Sequence, residues 1–361
     1  MCKKTILFMM VVTCFAVVSL QADETQKVEG KTEGPNLYGQ ANLSLDALDS
    51  GSNSSPYVSS NSSRLGVKGD KAINDDNNVI YQIEWQVWMD QSERGGTATA
   101  PLPSTVNQAF RLRNTFAGVA TPYGTVRAGH FDTPFKVVGC NHGLFINRIG
   151  DFRNVVGVGG GGFNQRPDNV ISYTTPTHSG LTGVVAYAAE NGTPAGGIIS
   201  GAVMYKNGPL KANAAYEDHG KGTTNGINSE SGVRLAGTYT FGDFAVMGLF
   251  ESLMDLAGVA GADRETYGGG VSYDAKVCTV KGQIFTTDGT DNVANSGGTM
   301  FVLGVDKKLT ERTTLYAAYA ETSNDSAATM GMSGGGHGDS VTPAAGFDPS
   351  GFSLGLHHKF P

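Results

Sequence analysis

Cysteine is scarce in this chain, and so is any concentration of positive charge. Four cysteines stand among 361 residues. Cys2 and Cys14 lie in an apolar leader, and Cys140 and Cys278 are not spaced as metal ligands. Two exported cysteines can pair, but two free thiols are the simpler expectation, with Cys278 placed in mid-strand and Cys140 in a loop. The seven histidines show no ligand spacing either, and His357 and His358 point to opposite faces of one strand. The net charge is −7, or about −9 once Lys3 and Lys4 leave with the leader. With no basic tract, that balance excludes a nucleic-acid partner. No G-x-S-x-G element occurs and no histidine has an obvious serine partner, which argues against a hydrolase. The glycine runs Gly159–Gly162 and Gly334–Gly336 neither follow a strand nor open a helix with a lysine, so they are not phosphate loops. Hydrophobic residues make up only 39% of the chain, too few for an obvious thick core. No apolar stretch after the leader is long enough for a spanning helix. The expectation is a protein that is not an enzyme, with no cofactor and no metal.

What is present is glycine, 51 residues against 13 prolines, together with serine, threonine, asparagine and tyrosine, the composition of an all-β chain rich in turns. Residues 1–22 combine a short cationic start with an apolar run from Ile6 to Leu20 and end near Ala22, the pattern of a cleaved signal peptide. Residues 23–35 are polar without periodicity and read as a flexible arm. From Asn36 onward the residues alternate. In Val79–Asp90 the apolar set Val79, Tyr81, Ile83, Trp85, Val87 and Met89 interleaves with a more polar one, a period of two that a helix would smear over every face. The pattern recurs from Leu37–Leu45 to Phe352–Phe360 in about sixteen segments, each near the nine to eleven residues of a tilted membrane strand.

Short turns at Thr121-Pro122, Asn207-Gly208, Gly242-Asp243 and Thr310-Glu311 alternate with long polar connections. Among the latter are Asp46–Ser62, Gln91–Ala109, His219–Gly232 and Thr322–Gly351. Long loops at one end and tight turns at the other are the arrangement of an outer-membrane barrel, and without spanning helices a closed barrel is how such a chain crosses a bilayer. Tyr239, Phe241, Tyr267, Tyr273, Phe352 and Phe360 stand near strand ends, where aromatic girdles meet the membrane interfaces.

One hairpin stands out, Arg111–Pro134. Arg111, Arg113 and Arg127 share one face, and Phe110, Leu112, Phe116, Val126 and Ala128 are placed on the other. A strand cationic on one side and apolar on the other separates two solvents. The segment that follows, 132–166, is glycine-rich and fits neither helix nor strand.

Several pieces together resemble the trimeric general porins of the neisserial and burkholderial type: NLYGQANLSLDAL (36–48), SSRLGVKGD (62–70), NVIYQIEW (78–85), RNTFAGVATPYGTVRAGHFDTP (113–134), RPDNVISYTTPTHSGLTGVVAY (166–187) and GLHHKF (355–360). Each piece is short, but their order and spacing are specific and cover nearly all of the chain after the leader. The resemblance implies a 16-stranded antiparallel transmembrane β-barrel over residues 36–361. It also implies an inward-folded third extracellular loop, 132–166, acting as constriction loop. Further implications are passive diffusion of small hydrophilic solutes and ions, a homotrimer, membrane lipid and lipopolysaccharide around the wall, and insertion by the outer-membrane assembly machinery. The chain departs from the family in carrying His130 where the family places arginine, in the length of its arm, and in Pro361 after the usual terminal phenylalanine.

Sixteen strands enclose a bore too wide for side chains to fill, so wall charge and radius set what passes. Alternation places Arg64, Lys68, Arg113, Arg127, Lys211, Arg234 and Lys281 inward; Arg64, Arg113 and Arg127 match the family's basic cluster. The loop offers Asp132 and Asp151, which across from the arginines would set up a transverse field, and also Arg148 and Arg153. For these last two, contact with solute and bracing of the loop are both open, and Asp132 is equally suited to capping it. A porin selective for one anion or nutrient, and a surface adhesin or structural barrel, are the alternatives. Only the channels need a long inserted loop.

Overall fold

The structure, a computed structural model, describes residues 34–90, 110–158, 162–189, 196–220 and 229–360. The leader, nearly all of the arm, the connection Gln91–Ala109 and Pro361 lie outside the described residues.

Antiparallel strands account for most of the described residues. In chain order they are β1 (Asn36–Asp49), β2 (Ser54–Ser60 continued by Arg64–Ala72), β3 (Asn78–Val87) and β4 (Phe110–Leu112 continued by Thr115–Thr121). Next come β5 (Gly124–His130), β6 (Val170–Thr174), β7 (Leu181–Ala188), β8 (Ile198–Asn207), β9 (Leu210–His219) and β10 (Glu230–Phe241). The remainder are β11 (Phe244–Met254), β12 (Arg264–Asp274), β13 (Thr279–Thr287), β14 (Gly298–Thr310), β15 (Thr313–Asn324) and β16 (Ser350–Phe360). Each pairs with its sequence neighbours, and β16 closes the ring on β1 from Gly39↔Phe360 to Asp49↔Ser350. The fold is therefore a 16-stranded antiparallel barrel with no free edge.

The two interrupted strands carry bulges. Both parts of β2 pair with β1, and both parts of β4 pair with β3. The expected long connection Asp46–Ser62 is thus mostly strand: β1 runs to Asp49 and β2 starts at Ser54. The four serines of Ser54–Ser60 and Pro56 among them break the alternation that would mark a strand. Where the expected turns differ from those found, they fall one residue late, as at Pro122-Tyr123, Gly208-Pro209 and Glu311-Arg312; Gly242-Asp243 stands as expected. Cys278 sits in the turn between β12 and β13, its carbonyl accepting from Ala275 N at 2.9 Å, and not in mid-strand. Both it and Cys140 are free thiols.

The outer face is apolar and exposed while the inner face is polar. Val271, Val280, Ile284, Leu303 and Leu354 are all more than 40% exposed, whereas Glu217, Arg234 and Glu251 on the inner side are fully buried. That inversion suits a wall with hydrocarbon outside. The expected girdle residues are exposed, from Tyr273 at 40% to Phe352 at 52%. Near the short turns Tyr239, Phe241, Phe244 and Tyr273 form a continuous stack with centroid spacings of 4.6–6.3 Å.

Candidate functional site: the bore and its loop

The connection from β5 to β6 is built to bind the inner wall. Thr133 caps a short helix, α1 (Pro134–Cys140), its hydroxyl accepting from Lys136 N, and Pro134 occupies the first turn, where a missing N–H costs nothing. Phe135, Val138, Phe145, Ile149, Phe152, Val155, Val156 and Phe163 are at most 1% exposed. They pack with inward side chains of the wall, including Leu249, Leu253, Phe285, Met300 and Val302. The hydrophobic core therefore lies inside the barrel, between the loop and the wall that includes β11, β13 and β14. Burying each such side chain stabilises by roughly 1.5–3 kcal/mol before the entropy of ordering is subtracted.

Polar contacts fix the same docking. Ser200 Oγ accepts from Phe135 N at 3.1 Å, Lys281 Nζ donates to Leu144 O at 2.8 Å, and Gln283 Nε2 donates to Gly150 O at 2.7 Å. Gly150 has φ +73°, and a Cβ there would lie 2.4 Å from Val302, so only glycine allows this approach. Arg234 Nη1 donates to Phe135 O at 3.0 Å, and its partner Glu251 accepts from Gly157 N at 2.6 Å. The connection after β15 adds a second anchor, with Gly150 N donating to Met332 O (2.6 Å), Gly334 N to Asn154 (2.7 Å) and Gly338 N to Asn61 (2.8 Å). Sequence alternation gave no sign of this second inward element.

Both ends of the β5–β6 loop are tied at one point. The bulge residue Asn114 accepts through Oδ1 from Asp132 N at 3.0 Å and from Arg166 Nε at 2.8 Å. The Asp132 carboxylate is held by Lys136 at 2.7 Å and Arg166 at 3.0 Å. Burial alone would raise its pKa, but those two cations outweigh burial and hold it well below the usual carboxylate range. Asp151 is fully buried, accepting from Asn147 N (2.7 Å) and Arg153 N (3.0 Å) and pairing with Arg153 Nη2 at 2.5 Å. Arg148 pairs with Asp306 at 2.6 Å and lies 3.9 Å over the Tyr316 ring. Asp151, Arg148 and Arg153 thus brace the loop, and neither Asp132 nor Asp151 offers an unpaired carboxylate to the bore.

Arg127 on β5 lies beneath α1, whereas Arg64 on β2 and Arg113 in the β4 bulge form a cluster of their own on the wall. Glu84 is their shared partner: Arg113 Nε lies 2.8 Å and Arg64 Nε 3.6 Å from its carboxylate, and Tyr38 Oη donates to it at 3.0 Å. Arg113 and Arg64 also reach Gln86 and Gln40, each at 3.1 Å. Lys68 lies on the same inward face of β2, 5.1 Å over the Tyr38 ring. Arg166 and Glu84 belong to this cluster but were not singled out from sequence, because loop residues and a lone luminal glutamate carry no period. Phe116 faces inward with Arg127, at 5.0 Å, and not outward. The bulge at Arg113-Asn114 advances the register by one and flips every later side chain of β4.

His142, in the loop, bonds Thr238 Oγ1 at 2.7 Å through Nδ1 and Asn213 Nδ2 at 2.8 Å through Nε2. Burial, with Lys211 adding, pushes its pKa from 6.5 to about 4. A depressed histidine pKa means the unfolded chain binds more protons between those values, so loop docking is full above pH 6.5 and weakens as pH falls toward 4. Open-channel current noise is expected to rise on acidification from pH 7 to about 4.5, and to rise less in His142→Gln.

A closed barrel of this size with a polar inner face, crossed by a loop packed on part of its wall, is a channel through a membrane. Residues 9–327 match the Gram-negative porin family, and the chain belongs to it as an outer-membrane porin. The chain is 26% identical over 313 residues to outer membrane porin protein 32 of Delftia acidovorans, covering 82% of this chain and 84% of that protein. Among solved structures it is similar to an anion-selective porin from Comamonas acidovorans (24% identity, TM-score 0.75, 91% of this chain and 99% of that one). The trimer form of OmpT from Vibrio cholerae is also similar (18% identity, TM-score 0.65, 91% and 99%).

Proposed function

We propose that this porin is a trimeric, anion-preferring diffusion channel for small hydrophilic solutes, with the β5–β6 loop as its constriction. On this reading residues 1–22 are a cleaved leader and 23–35 an arm. One observation carries the proposal. Arg64 and Arg113 share a single carboxylate, Glu84, Lys136 and Arg166 share Asp132, Asp151 is paired with Arg153, and Arg127 has no carboxylate partner among the described residues. A passing anion meets positive charge that its surroundings do not balance. Lys68 extends that charge along β2. Arg148, Asp151 and Arg153 act indirectly, by holding the loop.

The anion selectivity of the Comamonas relative and the trimer form of the Vibrio relative support the reading. The outer wall meets lipid and lipopolysaccharide, and the strand ending at Phe360 is the segment the assembly machinery reads. In a tenfold KCl gradient across a planar bilayer, stepwise ohmic conductance is expected with the dilute side negative at zero current. A dilute side that becomes positive would refute the anion preference, and the absence of steps would refute the channel.

A further inference from the structure

Arg127 differs from the other arginines of the wall. It makes no hydrogen bond and no ion pair among the described residues, and its Nε is buried without an acceptor. Its guanidinium lies against a pair of edge-to-face rings, 5.0 Å from the centroid of Phe116 and 5.0 Å from that of Phe131. Directly across the β5–β6 ladder stands Ser172, 3% exposed, whose hydroxyl also has no partner among the described residues. Across the β4–β5 ladder stands Gly118, where a Cβ would come within 3.0 Å of Arg127 Cγ. Gly118 makes room for the arginine, and the two rings hold it in place.

Arg127 and Ser172 both line a cavity of about 410 Å³ beneath α1. Its other walls are mainly apolar, including Ile80, Phe116, Phe131, Val137, Val184 and Met204. Asp132 reaches the same cavity, but Lys136 and Arg166 neutralise it. Two unpaired buried donors in an apolar surround cost free energy unless something bonds them. The volume is that of a small-ligand site with a few convergent polar groups.

We infer that Arg127 and Ser172 form a binding subsite for small monocarboxylates with an aryl or branched alkyl body. The carboxylate takes the planar guanidinium fork and the serine hydroxyl, and the body lies against the apolar walls. A phosphate or sulfate would carry more charge and hydration than one guanidinium and one hydroxyl replace. A simple halide would leave the apolar walls unused. The inference rests on the anion-channel reading and narrows it, since a solute that binds briefly beneath the loop is enriched in the path.

The test is single-channel recording of the full-length porin in KCl with three added probes. Sodium benzoate has both charge and body, sodium acetate charge alone, and benzyl alcohol body alone. Benzoate is expected to interrupt the chloride current in a saturable way, half-maximal at a concentration at least tenfold below that for acetate, with no interruption by benzyl alcohol. Expressed as the fraction of each variant's own open current, block by benzoate is expected to weaken about tenfold in Ser172→Val, the loss of one hydrogen bond to a charged group. It should lose saturation in Arg127→Gln. Benzoate and acetate acting alike on the wild type, or full benzoate block in Arg127→Gln, overturns the subsite. If the wild type keeps its anion-selective reversal potential in that case, the subsite alone has failed. If the channel proves cation-selective, the broader reading has failed with it.

Discussion

Replacing Arg64, Arg113 and Arg127 together with glutamine is expected to turn the channel from anion preference toward cations. The three side chains stand on β2, β4 and β5, and among the described residues Glu84, paired with Arg64 and Arg113, is the one carboxylate bonded to any of them. Removing them leaves Glu84 opposed by Arg166 alone among the cations of that cluster, so the local excess of positive charge is lost. A unit charge about 4 Å from a passing ion contributes about 1 kcal/mol in bulk water and about 4 kcal/mol near a protein surface. Even the lower figure, summed over three charges, exceeds the ~1.4 kcal/mol that changes a ratio tenfold. The chloride-to-potassium permeability ratio should therefore fall at least about tenfold. The effect is clearest in dilute salt, because screening at 0.1 M reaches over about 10 Å. A reversal potential unchanged from wild type sinks the role assigned to these residues.

Arg234→Ala is expected to release the loop. Arg234 is fully buried beneath it, pairs with Glu251 through Nη2 at 2.5 Å and Nε at 2.9 Å, and lies 4.2 Å over the Phe135 ring. The alanine variant strands the Glu251 carboxylate in the interior, a loss of roughly 3–5 kcal/mol. It also removes the donor to Phe135 O and Asn164. The temperature at which the folded barrel shifts to unfolded mobility on gels should drop, and open-channel noise should rise. The double variant Arg234→Met with Glu251→Leu should recover most of the thermal loss, because an apolar pair leaves no buried charge. A double variant less stable than Arg234→Ala would show that the anchoring lies elsewhere.

How much of this was legible in the residues depends on where water and hydrocarbon act. The outer face of β3 is read directly from Val79, Tyr81, Ile83, Trp85 and Val87, because lipid contact demands an apolar residue at every second position. In Ser54–Ser60 four serines and Pro56 interrupt that pattern, so half a strand reads as a loop. The bulge in β4 has no signature in Arg113-Asn114, so unbroken alternation puts Phe116 outside while the structure turns it inward. Thr133-Pro134 did carry a signal for α1, a capping hydroxyl followed by a first-turn proline, within a segment too irregular to suggest a helix. The inward set of arginines followed from alternation alone. Which of them are paired did not: Asp151 looks like a carboxylate for the bore until its bonds to Arg153 and Asn147 are seen. That pairing decides the sign of the field.

The central claim is that ions pass along the arginine wall and across from the loop. Arg64, with a side chain 27% exposed, is the place to test it. In a chain with Cys140 and Cys278 changed to serine, Arg64→Cys should react with a sulfonate-bearing methanethiosulfonate while single channels are being recorded. Each modification should lower the chloride current in a discrete step and move the reversal potential toward cations. Modification that leaves both current and reversal potential unchanged would contradict the account.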